Sequence, residues 1–131
     1  MGFDYTLRAD CEPAVKCSLG RELGAMLLCH AAGYECAAIE AGCGLDLAPL
    51  AGALPREPGA GPWRSLDELA AQLAALAAAR RDHPAVFDAI EVFVVDPDFF
   101  QGRFAETLTG LLSALDEARA AGAERVRVTV Y

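Results

Sequence analysis

Residues 89–115 read AIEVFVVDPDFFQGRFAETLTGLLSAL, and the fold turns on how this stretch is interpreted. Ile90, Val92 and Val94 alternate with Phe93 and Val95, and only Glu91 interrupts the apolar run. Branched and aromatic residues suit a pleated surface, and two apolar faces predict a strand covered on both sides. Past Asp96, Pro97 and Asp98, an apolar stripe of Phe100, Phe104, Leu108, Leu111, Leu115 and Ala118 recurs at steps of three or four. That spacing predicts an amphipathic helix. Either Asp98 caps it with Gln101 reaching back, or Asp96 caps it with Pro97 at the first helical position. Gly122 stands where a left-handed C-cap is expected. Val126, Val128 and Val130 then alternate with Arg125, Arg127 and Thr129, the pattern of a half-buried strand. Strand, crossover helix and strand make a βαβ unit with parallel strands.

Working outward, Phe3, Tyr5, Leu7 and Ala9 alternate with Asp4, Thr6, Arg8 and Asp10, which predicts a first strand with one buried face. Cys11 to Cys17 reads as a loop broken by Pro13. Ser18 is placed to cap a helix carrying Leu19, Leu23, Met26, Leu27 and His30, ended by Gly33. Tyr34 to Ala41 reads either as a second strand, with Tyr34, Cys36, Ala38 and Glu40 on one side, or as a continued helix; Gly33 before it and the turn at Gly42, Cys43 and Gly44 after it favour the strand. Leu45 to Leu54 contains Pro49 and is expected to be a turn of helix or a packed loop. Residues 55–62 hold three prolines and two glycines and read as an exposed connector within the domain. Trp63 is expected as a lid over the core. Ser65 with Glu68 forms a capping box ahead of Leu66, Leu69, Leu73 and Leu76, with Arg80 and Arg81 at the far end of the dipole.

These elements predict a single α/β domain over residues 1–131, with α+β as the alternative. It would hold a four-stranded, mixed, mainly parallel sheet, built from two βαβ-like units with three main helices packed on it. A hydrophobic share of 54% against 23% charged excludes a disordered chain. No apolar run approaches a bilayer span, and the N-terminal residues lack the basic start and apolar stretch of a signal peptide, so a cytoplasmic protein is expected. Ten arginines against one lysine, with abundant alanine, point to a GC-rich bacterial genome. The net charge of −8 argues against nucleic acid or an anionic membrane as partner and permits a basic protein.

Candidate chemistry is sparse. Asp96 and Asp98 follow the carboxyl end of the apolar strand, where open parallel sheets place ligands, and oxygen donors two residues apart can hold a divalent ion. The simpler reading is one helix cap and one solvated carboxylate. The five cysteines contain no C-x-x-C spacing, and cysteine packs well as a small hydrophobe. Cys29, His30, Cys36 and Cys43 make a poor zinc set, because structural zinc uses closely spaced pairs. No serine-hydrolase elbow or phosphate loop is present. Neither a cofactor nor a metal is therefore expected.

Phe99, beside Asp96, Asp98 and Arg103, has the make-up of an interface anchor with neighbouring charge, so these four residues form the expected partner-binding surface. The function expected from these features is a non-enzymatic, acidic protein-binding module that engages a basic protein. In size and charge the chain resembles the small immunity or antitoxin proteins that neutralise bacterial toxins, a likeness of profile to which no motif is attached. Two alternatives stand beside it. One is a small enzyme or divalent-ion or ligand-binding domain using the Asp96–Asp98 end of the sheet; the other is a homodimeric structural subunit.

Overall fold

A computed structural model describes residues 4–30, 34–90 and 98–130. Residues 91–95 of the strand expected over 90–95, and Asp96 after it, therefore lie outside the described residues. Strand β1 (Tyr5–Ala9) alternates as expected: Tyr5, Leu7 and Ala9 are buried, whereas Arg8 is exposed. It turns through a loop with a cis Glu12–Pro13 bond into a short strand, β2 (Lys16–Ser18), where only a loop was expected. Helix α1 (Arg21–Leu28) then buries Leu23, Met26 and Leu27. Its N-cap is Gly20 rather than Ser18, whose hydroxyl instead accepts from the Gly20 amide at 3.1 Å.

The second strand expected at Tyr34–Ala41 is a helix, α2 (Tyr34–Cys43). The physical reason lies in which residues seek burial. Cys36 and Ile39 are fully buried and Cys43 packs beside them, at helical steps of three and four. The period-two set puts Glu40 on the apolar side, and alanine and glutamate favour helix over strand. A short helix α3 (Ala48–Ala51) contains Pro49 in its first turn. The connector carries strand β3 (Gly59–Ala60), and β4 (Arg64–Ser65) follows it closely. Helix α4 (Leu66–Asp82) starts at the expected cap, the Ser65 hydroxyl accepting from the Glu68 amide at 3.3 Å. Helix α5 (Pro84–Asp88) stands where only an exit was expected.

A 3-10 turn (Phe99–Gln101) precedes helix α6 (Arg103–Ala120), and strand β5 (Arg125–Val130) follows. The stripe of α6 is as expected: Phe104, Leu108, Leu111, Leu115 and Ala118 are all buried. Gly122 takes a φ of 89° just past the helix end, the left-handed conformation a glycine tolerates.

Among the described residues the sheet has five strands in the order β2-β1-β5-β3, and β4 also pairs with β5. Each of these pairings is antiparallel, so the expected four-stranded, mainly parallel sheet is corrected. With α2 helical, the first expected βαβ unit has no second strand. The last strand pairs directly with the first, Leu7 opposite Val128. One face of the sheet, carrying Tyr5, Leu7, Ala9, Val126, Val128 and Val130, packs into a single core with the helices. The opposite face is polar and meets solvent, as antiparallel sheets allow. The result is an α+β layering of helices on one side of an antiparallel sheet.

Candidate functional site

Of the four residues expected to form a partner surface, three lie among the described residues, and Phe99 is not at the surface. Asp98 is exposed, and its side chain caps nothing. Asp96 lies outside the described residues. Arg103 is exposed and pairs with Glu22 at 2.9 Å. Phe99, the proposed anchor, is 1% exposed. Its ring stands edge-on to Phe104, centroids 5.5 Å apart, in a cluster with Phe100 and with Phe87 of α5. The 3-10 turn aims Phe99 and Phe100 inward together, and Phe87 comes from a helix the periodicity did not reveal.

The cysteines and histidines converge little more. Burial pushes the Cys36 thiol up to about 12, and its Sγ donates to the Met26 carbonyl. Among the described residues no three His, Cys, Asp or Glu side chains gather as a metal site. His30 Nε2 meets Glu40 Oε2 at 3.1 Å, and the same oxygen accepts from the Leu47 amide at 2.8 Å. His30 borders a pocket of about 300 Å³, but among the described residues its lining offers no hydroxyl, thiol or carboxylate.

The open face of the sheet is different. Register places Lys16 opposite Arg8 and Arg8 opposite Arg127, so three cations lie in one row across β2, β1 and β5. Beside it runs a row of hydroxyls, Ser18, Thr6 and Thr129, ending at Ala60. With neighbouring strands about 4.8 Å apart, the cationic row spans about 10 Å between outer α-carbons. Among the described residues no ion pair neutralises Arg8 or Lys16. Like charges directly opposite on a sheet are destabilising, so this row is unfavourable for the isolated fold.

Trp63 borders the same face through a slip in register. Gly59 pairs with Val130 and Ala60 with Thr129, yet Arg64 pairs with Val126, so the β3–β4 segment carries one extra residue opposite β5. The slip falls at Gly61 and Pro62, where a bulge is natural because proline has no amide to donate. Continuing the β4 register by one residue sets Trp63 opposite Arg127 on the outer face. The Arg127 guanidinium lies 4.3 Å from the indole centroid, and its Nε donates to the Gly61 carbonyl at 3.1 Å. Trp63 is 40% exposed, so it is no lid over the core.

Trp63, Arg127, Arg8 and Lys16, with Thr6 and Thr129, line a concave pocket of about 490 Å³, within the range of small-molecule sites. Asp10 and Glu12 also line it. Asp10 Oδ1 is engaged by the amides of Glu124 at 2.9 Å and Arg125 at 3.2 Å. The backbone bond from Arg125, and with it the one from Glu124, holds the Asp10 carboxyl below its usual range.

The site was half visible in the sequence, as outward-facing Arg8 and Arg127 on two expected strands. Their adjacency, the role of Lys16 and the exposure of Trp63 depend on strand order and on the bulge.

The charge is divided accordingly. The five described strands hold Arg8, Lys16, Arg64, Arg125 and Arg127, and none of the nineteen carboxylates. The other six cations share the rest of the chain with all nineteen. Among the described residues no helix is long and apolar enough to cross a membrane. No protein-family model, no curated protein and no solved structure matches this chain.

Proposed function

We propose that the chain is a non-enzymatic binding module that takes an anionic ligand on the open face of its sheet. The row Lys16–Arg8–Arg127 carries this reading. Three aligned cations with no carboxylate partner among the described residues cost the fold stability, and an anion seated over them turns the repulsion into charge-assisted hydrogen bonds. The test is calorimetric titration of the intact chain with inorganic triphosphate at low and raised salt. Binding that weakens with salt, and that drops about tenfold or more in Arg8→Gln, is the expected result. Equal affinity in the two proteins would refute the assignment.

A second reading is favoured by the charge outside the sheet. There six cations face nineteen carboxylates, and α4 and α6 expose Asp67, Glu68, Glu106, Asp116 and Glu117. On this reading the acidic helical side engages a basic protein, in the manner of an immunity or antitoxin protein. Salt-sensitive capture of a stoichiometric basic partner, lost on reversing charges along α4 and α6 but kept in Arg8→Gln, is its expected signature.

A further inference from the structure

We infer that the ligand of the sheet face is a nucleoside phosphate, with its base against Trp63 and its phosphates over Arg8 and Lys16. This rests on the anion-binding reading above and names the ligand class. The pocket is graded along the row. On the side of β3 and β4 stands the indole of Trp63, half open to solvent, with the small Ala60; toward the other side lie Arg8 on β1 and Lys16 on β2, both exposed. A ligand matching both ends needs a planar aromatic group and a multiply charged group, separated by about two strand spacings. Thr6 and Thr129 lie between them in the adjacent row, where hydroxyls can meet a sugar or a phosphate.

Two observations favour a small ligand over a nucleic-acid strand. The chain's net charge of −8 repels a polyanion at long range. Asp10 and Glu12 also line the pocket, so a continuing phosphate backbone would meet carboxylates there. Arg127 is already pinned between the indole and the Gly61 carbonyl, so the aromatic end is set before any ligand arrives.

Trp63 is the only tryptophan, so selectively excited tryptophan fluorescence reports on this pocket. The intact chain is titrated with adenosine triphosphate, inorganic triphosphate and a single-stranded oligonucleotide. The nucleotide is expected to change Trp63 emission saturably and to bind about tenfold or more tighter than inorganic triphosphate, from stacking of one base. Trp63→Leu, followed by calorimetry, should abolish that advantage while still binding inorganic triphosphate, which also shows that the variant is folded. If both phosphates bind equally and Trp63→Leu changes nothing, the nucleoside is overturned while the anion site stands. If neither binds, both fall. An oligonucleotide that outcompetes the mononucleotide overturns the small-ligand assignment in favour of a strand.

Discussion

Glu40 joins two elements with one carboxylate oxygen, receiving the Leu47 amide at the approach to α3 and facing His30 beyond the end of α1. The Leu47 amide, and after it His30, hold this carboxyl below the ordinary glutamate range. The unfolded chain therefore binds a proton more readily than the folded one. The resulting stability is present above the ordinary glutamate pKa and is lost as pH falls through the lower folded value. Thermal unfolding followed from neutral to acid pH should show wild type losing its advantage over Glu40→Gln in that window; parallel curves would count against the contact. Gly61 is constrained differently. A Cβ there would stand 2.9 Å from the Ala53 carbonyl oxygen and 3.0 Å from that of Val128, so Gly61→Val should destabilise the fold and shift Trp63. Neither constraint could be read from residue type alone. Glu40 looked like part of a strand face, and Gly61 like one glycine among several in a connector.

At the scale of elements, α4 and α6, whose apolar stripes run over several turns, were legible, and α2 and α5 were not. In α6 the stripe from Phe104 to Ala118 alone decides which face turns inward. Phe104 is fully buried and touches three other phenyl rings, so Phe104→Ala should cost about 3–5 kcal/mol in chemical denaturation. A loss below about 1 kcal/mol would mean that the aromatic cluster is not a packed unit. The capping residue Ser65 was equally plain, because its signature is local. Helix α2 was misread because its buried residues are few and Gly33 and Gly42 resemble strand punctuation. Helix α5 is too short to show a period. Arg80 ties this region together, donating to the Phe100 carbonyl at 2.9 Å and lying over the Phe87 ring.

For the whole molecule the decisive feature is the separation of charge between a basic sheet and an acidic remainder. Net charge alone suggested one sign of partner, whereas the sheet presents the other. If the row exists to meet an anion, removing its middle member should relieve the free protein. Arg8→Gln is expected to gain about 0.2–1 kcal/mol per like-charged neighbour at low salt. The gain should shrink near 1 M salt, where the screening length falls to about 3 Å. Calorimetric unfolding at the two ionic strengths measures it, and an unchanged melting temperature at low salt would argue that the three cations do not repel. A variant that is more stable and binds triphosphate less well would show stability given up for binding.

Period-two and period-3.6 patterns suffice to specify β1, α4, α6 and β5, because each buries its own apolar set. The same patterns say nothing of which strand lies beside which. Antiparallel pairing of β5 with β1, the bulge at Gly61 and Pro62, and the row Lys16–Arg8–Arg127 come from contacts between residues up to a whole chain length apart. A side chain's face is set by its immediate neighbours in sequence, but its cross-strand partner is set by tertiary packing.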